Sequence, residues 1–316
     1  MPLVPKLKDY IDSVSAQKPH LISIGFKPNQ TTLREAIANL TAKFMTDRDT
    51  SINSTDDVIV RDGYNIPVRI YASSSEPQPV AIFFHGGGHM TGGITVYDNI
   101  VRKLTKNINH IVVSIEYRLA PEFAYPTGIL DCKQAVENIF DILDSRDIKY
   151  SSKDLTIIGD SAGGAICATI ASDRDFTIKN KIANQVLIYP SLDYTETSPT
   201  IETYGEGYLL EITKLKFYFA SYFQNGEDRK EVSPLYKNFY REMPQTLIIA
   251  AEYDPLNWEA KQYHAKMLEI GASTEFLQMD GVVHPYIMLE DLCKNECELT
   301  YKTIKEFLNY TITTAD

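Results

Sequence analysis

The stretch Leu155-Thr-Ile-Ile-Gly-Asp-Ser-Ala-Gly-Gly164 decides the fold predicted for this sequence. An apolar run typical of a buried strand comes first, and residues 162–172 continue as a predicted helix. Ser161 would then lie on a sharp turn between strand and helix, with its hydroxyl exposed as a nucleophile requires. Gly159 and Gly163 permit such a turn because they have no Cβ. The alternative is that Ser161 only caps the following helix.

A second glycine-rich turn, His85-Gly-Gly-Gly88, directly follows the apolar residues 81–84. Three glycines leave backbone N–H groups unscreened, so that with the amide of Ala162 they can surround an oxyanion formed during a reaction. The alternative, a phosphate-binding turn, requires a G-x-G-x-x-G or G-x-x-x-x-G-K-[ST] pattern, and the sequence has neither. The turn therefore predicts an oxyanion hole.

A general base for Ser161 should follow it in the chain, because the order expected for this strand–turn–helix is serine, acid, histidine. Only His264 and His284 come after the serine. His264 lies within the helical pattern of residues 258–268, whereas His284 follows the last predicted strand. His284 is therefore the predicted base. The six histidines are His20, His85, His89, His110, His264 and His284.

The acid that orients this base is predicted to be Asp254, in Ala251-Glu-Tyr-Asp-Pro-Leu256. It comes just after an apolar strand and before Pro255, at the edge of the sheet where such sites gather. Glu252 and Asp280 are rivals. Glu252 is nearer the strand proper, and Asp280 precedes a glycine and has the character of a turn residue.

Apolar runs and helical patterns alternate along most of the chain, which predicts an α/β fold with a mostly parallel sheet and helices on both faces. The runs begin at residues 80, 111, 155, 185 and 246, with predicted helices at 127–144 and 257–270 and a closing strand and helix near 274–279 and 291–309. Two further strands, 57–61 and 66–71, are predicted to pair through a turn at residues 61–64.

Two segments interrupt this alternation. Residues 1–50 have Leu33, Ile37, Leu40 and Phe44 at helical spacing, and residues 194–240 are rich in tyrosine and phenylalanine, with a predicted helix at 209–223. Both are predicted to form a helical cap over the sheet edge. The predicted domains are the cap helices 1–50, the core 51–193, the cap insertion 194–240 and the core 241–316.

The overall charge argues against polyanionic partners. With 31 basic and 42 acidic residues the net charge is −11, which repels nucleic acids and anionic membranes, although a local field can oppose the global sign. No apolar stretch is long enough for a membrane span and the first residues lack a secretory pattern, so a cytoplasmic location is predicted. The four cysteines are predicted to be reduced and buried, although Cys293 and Cys297 are spaced to share a helix face and a metal.

These residues together resemble the hormone-sensitive-lipase family of bacterial esterases, an α/β-hydrolase family, in its acetyl-esterase-like branch. The resemblance covers residues 55–310 and is carried by six motifs in the family's order. They are His85-Gly-Gly-Gly, Tyr117-Arg-Leu-Ala-Pro-Glu, Gly159-Asp-Ser-Ala-Gly-Gly, Ser233-Pro-Leu, Asp254-Pro-Leu and His284.

The resemblance implies a serine esterase with Ser161 as nucleophile, Asp254 as acid and His284 as base. It implies oxyanion amides from Gly86, Gly87 and Ala162, no cofactor, no metal and possible pairing into a homodimer. Tyr208 is expected either to face the substrate or to pack the cap onto the core. The candidates for the substrate pocket are Gly88, His89, Asp160, Tyr208, Leu256 and Pro285.

Three positions depart from the family pattern. Pro285 replaces the glycine after the histidine, Phe123 replaces a histidine, and Trp258 replaces an acidic residue. These changes affect the expected substrate more than the chemistry.

The predicted function is hydrolysis of short- to medium-chain acyl esters through an acyl-enzyme. An amidase or deacylase with the same residues, and a non-catalytic receptor for small molecules, are the alternatives. A lipase acting on lipid surfaces is disfavoured, because no exposed apolar stretch marks a docking lid.

Overall fold

Eight strands form one central sheet in the structure, a computed structural model that describes residues 1–61 and 63–313. Their order across the sheet is β1-β2-β4-β3-β5-β6-β7-β8. The strands are β1 Asn53–Ile59, β2 Ile66–Ala72, β3 Gln78–Phe84, β4 Ile111–Ile115, β5 Tyr150–Asp160, β6 Ile182–Ile188, β7 Gln245–Tyr253 and β8 Thr274–Val283.

The pairing of the strands confirms the predicted, mostly parallel α/β sheet. β1 pairs with β2 and β2 with β4 in antiparallel fashion, and every pair from β4 through β3 to β8 is parallel. Because parallel neighbours need a crossover, helices separate these strands in the chain and cover the sheet. The carboxyl ends of β3, β5, β7 and β8 consequently meet at one edge.

Eleven α-helices are present in the described residues. They are α1 Pro5–Ser23, α2 Gln30–Phe44, α3 Ile94–Ile108, α4 Thr127–Ser145, α5 Ala162–Ala171, α6 Arg174–Asn180, α7 Pro199–Tyr204, α8 Ile212–Tyr222, α9 Arg229–Val232, α10 Asn257–Glu269 and α11 Lys294–Thr313.

The sheet separates two apolar layers. Along β3, Val80, Ile82 and Phe84 pack into the layer that contains α4, α5 and α10. Ala81 and Phe83 pack into the opposite layer with α3 and α11. Both faces of β3 are therefore buried, as its unbroken apolar sequence requires.

The predicted element bounds differ from the observed ones mainly at the ends. The helix predicted at 209–223 begins only at Ile212, and the last strand continues to Val283 rather than ending at 279. The predicted turn at 61–64 includes Asp62, which lies outside the described residues, as do residues 314–316 of the predicted 241–316 segment.

The second half of α1 and the loop after it are exposed throughout residues 12–29. They carry apolar side chains into solvent, with Ile22 66% and Ile24 62% exposed and Phe26 45% exposed. The sequence did not predict this exposed apolar segment, because apolar residues at helical spacing were expected to pack onto the core. Among the residues described, no helix is both long and apolar enough to span a bilayer.

The start of α5 packs directly against the end of β3. A Cβ added at Gly163 would lie 1.9 Å from the carbonyl oxygen of Phe84, so only glycine allows this approach. The contact sets the position of the turn at Ser161 relative to the glycine-rich turn after β3.

We predict that Gly163→Ala lowers the free energy of unfolding by about 3 kcal/mol, because backbone atoms must separate to admit the methyl group. Urea unfolding measures the change. Ala165→Gly in the same helix is the control and should cost less, about 1 to 2 kcal/mol, through helix propensity and the loss of one buried methyl group. Equal destabilisation by the two substitutions would contradict the close approach.

Candidate active site

Ser161 lies on the turn between β5 and α5, as predicted. Its backbone has φ 52° and ψ −117°, a conformation that a non-glycine residue adopts only when its surroundings enforce it. Its amide donates to Ile188 of β6 and its carbonyl accepts from Ser191 and Ala165. These bonds hold the strained residue, and its side chain makes no hydrogen bond to any described residue, so the hydroxyl remains available for chemistry.

Asp254 and His284 follow the ends of β7 and β8 and form a hydrogen-bonded pair. His284 Nδ1 lies 2.9 Å from Asp254 Oδ2, and both side chains are buried. The second carboxylate oxygen of Asp254 accepts from the amide of Leu256. Because Nδ1 donates to the carboxylate, Nε2 is the nitrogen left free to accept a proton.

The two rival acids have other partners. Glu252 accepts from the N-terminal amino group of Met1 and from the amide of Gly281. Asp280 accepts from Gln278. His264, the rival base, contacts Thr274 on the sheet edge. The structure therefore brings together the residues favoured by the sequence, and not their rivals.

A cavity of about 700 Å³ contains both Ser161 and His284. Its walls come from α1 and α2, from the turn after β3, and from residues 207–219 around the start of α8. Five of the six predicted pocket residues line it. These are Gly88, His89, Asp160, Leu256 and Pro285.

Tyr208, the sixth predicted pocket residue, does not line the cavity. Its ring stacks on Tyr253 of β7 with centroids 5.4 Å apart, and its neighbours Gly207 and Leu209 line the cavity instead. Positive φ values at Gly207 and Leu209 reverse the chain here and turn the Tyr208 side chain away. Tyr208 thus packs the segment onto the core.

The oxyanion amides are shifted by one residue from the prediction. The amide of Gly86 donates to Asp160 Oδ1 at 2.7 Å, so that its single N–H is not available to a ligand. Gly87, Gly88 and Ala162 line the cavity, and their amides have no hydrogen-bond partner among the described residues. The prediction of Gly86 is therefore wrong, and Gly88 was assigned to the pocket without this role.

Asp160 holds the glycine-rich turn in place through its hydrogen bond with Gly86. Besides the amide of Gly86, its carboxylate accepts from Tyr97 at 3.0 Å and from Tyr189 at 3.3 Å. Burial raises the pKa of Asp160 to about 6, and these hydrogen bonds together with the nearby His284 oppose the shift. Asp160 thus links β5, the turn after β3 and Tyr189 next to His284.

The model of a family with the α/β-hydrolase fold matches residues 81–288, two thirds of the chain, including the glycine-rich turn, the Ser161 turn, Asp254 and His284. The chain belongs to this α/β-hydrolase family. The predicted resemblance and fold are confirmed.

Several relatives of this α/β-hydrolase are named as esterases. An arylesterase of Saccharolobus solfataricus is 28% identical over 91% of this chain and 93% of its own, and an ethyl acetate hydrolase of Pseudomonas putida is 27% identical over 75% and 76%. Among solved structures, one of an arylesterase has a TM-score of 0.86 at 26% identity, covering 98% of this chain and 100% of that one. A hyperthermophilic esterase of Pyrobaculum calidifontis gives a TM-score of 0.86 at 26% identity, covering 97% of both chains.

Of the three positions that depart from the family pattern, only Pro285 reaches the cavity of this α/β-hydrolase. Phe123 lies under the guanidinium of Arg118, 5.2 Å from its carbon, and Trp258 packs against the apolar layer of α10. Neither Phe123 nor Trp258 is among the cavity residues. Phe123 and Trp258 therefore make no direct contact with the cavity through which they could affect the choice of substrate.

All four cysteines are free and buried, as predicted. Cys293 Sγ and Cys297 Sγ lie 4.0 Å apart and also contact the carbonyl of Tyr286. In the part of the chain that the structure describes, no third histidine, cysteine or carboxylate joins them in a metal site.

We predict that the free energy of unfolding of the Asp160→Asn variant increases relative to that of the native protein as pH rises. Since the folded state raises this pKa, the folded protein holds the proton more tightly than the unfolded chain, and ionisation costs stability as pH rises from about 4 to about 6. Asparagine cannot ionise. The difference in free energy of unfolding should therefore shift toward the variant by up to about 3 kcal/mol between pH 4 and pH 7.

Urea unfolding of both proteins across this pH range measures the shift. The variant Asp154→Asn, at an exposed position, is the control. Its change in free energy of unfolding is subtracted to remove the general effect of losing one acidic residue. A difference that does not vary with pH would show that Asp160 has an ordinary pKa.

Proposed function

We propose that this α/β-hydrolase is a serine carboxylesterase that hydrolyses short- to medium-chain acyl esters, with Ser161 as nucleophile, His284 as base and Asp254 as orienting acid. The observation that carries the proposal is the hydrogen bond between Asp254 and His284, because His284 lines the same cavity as Ser161. Ser161 itself lies on the strained turn between β5 and α5. The named esterases among its relatives support the choice of an ester as substrate.

The reaction begins when Ser161 Oγ attacks the ester carbonyl and His284 Nε2 takes its proton. The tetrahedral intermediate collapses, the C–O bond to the alcohol breaks, and His284 returns the proton to the departing alcohol. Water, deprotonated by His284, then attacks the acyl-enzyme and releases the acid and the free serine. Asp254 holds the imidazole in the required tautomer and stabilises its protonated form.

The negative charge on the carbonyl oxygen is stabilised by the amides of Gly87, Gly88 and Ala162 in this proposal. Each such donor contributes about 3 kcal/mol to the transition state. These amides have no other partner among the residues that the structure describes, which supports this role, and the N-terminus of α5 adds its dipole.

A cap made of residues 1–50 and 194–240 is part of the proposal. Support comes from α1, α2 and α8, which supply most of the cavity wall away from Ser161 and give it an apolar lining. An apolar cavity of this size suits a small-molecule acyl ester. The cytoplasmic location and the pairing into a homodimer stay predictions from the sequence.

We predict that Ser161→Ala lowers kcat/KM on 4-nitrophenyl esters by about 10⁴ or more, because the proposed acyl-enzyme forms on the Ser161 hydroxyl. Initial rates on esters of increasing acyl length should be highest at about two to six carbons for the native protein. Exposed Ser151→Ala is the control and should match the native rates. Equal rates for the Ser161 variant and the native protein would rule out this nucleophile.

We predict that Asp254→Asn lowers kcat by about 10³- to 10⁴-fold, because the amide favours the wrong tautomer of His284. Asp280→Asn and Glu252→Gln test the rival acids under the same conditions and should retain most of the activity. If either rival variant lost more activity than Asp254→Asn, the assignment of the acid would be wrong.

A further inference from the structure

Four acidic or basic side chains line the cavity, and three of them have partners that explain them. Asp160 lies at the floor with its three hydrogen bonds. Lys18 of α1 donates to both carboxylate oxygens of Glu211 at 2.9 Å, so the two opposite charges pair across the mouth of the cavity. The fourth, Lys214, is the one without a counter-charge in the described part of the chain.

Lys214 lies in the first turn of α8 and lines the cavity. Its Nζ donates to the carbonyl of Leu209 at 3.0 Å, and no carboxylate of the described residues pairs with it. Burial lowers the pKa of Lys214, and the nearby Glu211, already paired with Lys18, opposes this shift. An ammonium carries three N–H donors, and the carbonyl of Leu209 accepts from one of them, so two donors and the charge have no partner among the described residues. A partly desolvated ammonium without a counter-ion is destabilising until an anion reaches it.

Glu211, which is paired with Lys18, and Asp160 at the floor are the acidic side chains among the described residues that line the cavity. Residues 13–28, which include the exposed half of α1, contain no aspartate or glutamate, and neither do residues 212–222 of α8. The chain as a whole carries a net charge of −11. Screening limits the repulsion from acidic groups elsewhere on the chain to about 10 Å, so the net charge does not by itself exclude an anionic substrate.

We propose that the enzyme prefers esters whose acyl chain carries an anionic group such as a carboxylate, and that Lys214 is the residue that recognises this group. The inference rests on the proposed esterase function. The apolar wall binds the methylene chain, while the ammonium of Lys214 pairs with the anion and gains the counter-charge that the protein does not supply.

The competing interpretation is that Lys214 only braces Leu209. Leu209 has φ 69°, a left-handed conformation that is strained for a leucine, and its carbonyl is the one that Lys214 binds. A brace of this kind would affect all substrates alike, whereas recognition of an anion affects only charged ones.

The test compares two esters with the same six-carbon acyl chain, 4-nitrophenyl hexanoate and the mono-4-nitrophenyl ester of adipic acid. The measured quantity is the ratio of kcat/KM for the anionic ester to that for the neutral ester. Lys214→Met should lower this ratio by about tenfold or more, through a higher KM for the adipate. Lys214→Arg, which retains the charge, should keep the ratio within about threefold. Exposed Lys216→Met in the same helix should leave it unchanged.

Each other outcome overturns the inference. If Lys214→Met lowers kcat/KM equally for both esters, the lysine is a brace for Leu209 and no more. An unchanged ratio shows that the anion binds elsewhere or not at all. If the native protein hydrolyses the neutral ester but Lys214→Met leaves the ratio unchanged, only this inference fails. If it hydrolyses neither ester, the proposed function fails with it.

Discussion

The structure depends on a strained backbone at Ser161, where φ 52° and ψ −117° place a serine outside the regions that side chains favour. Strain of this kind persists only when neighbouring elements enforce it. Here Ile188 of β6 accepts from the amide of Ser161, α5 begins immediately after it, and Gly163 lets that helix approach the end of β3. Because the same approach positions the glycine-rich turn, the candidate nucleophile and the candidate oxyanion amides are placed together by one packing contact.

Asp160 extends this arrangement to the rest of the site. Its carboxylate joins the glycine-rich turn to Tyr97 of α3 and to Tyr189, whose ring lies 4.6 Å from that of His284. The protein tolerates a buried carboxyl with a raised pKa at this point, and its hydrogen bonds fix the glycine-rich turn, α3 and Tyr189 relative to one another. Stability is thus lowered at the residue next to the candidate nucleophile, as is common at active sites.

Much of this could be predicted from the sequence. The serine, acid and base follow from motif context and chain order, since each comes directly after an apolar strand. The assignment of Gly86 was wrong because spacing cannot tell which amide of the glycine turn faces a ligand. Of the two alternatives left open for Tyr208, the structure has the packing one, which depends on positive φ at Leu209 and cannot be read from spacing. The Lys18–Glu211 pair and the unpaired Lys214 could not be predicted, because they depend on how α1 and α8 meet across the cavity.

The most direct test of the central claim is to label the protein with a serine-reactive organophosphate, diethyl 4-nitrophenyl phosphate, and locate the adduct by peptide mass spectrometry. We expect one diethylphosphoryl group per chain, on Ser161, with esterase activity lost in proportion to labelling. An adduct on any other residue at full inactivation, or activity that survives complete labelling of Ser161, would contradict it.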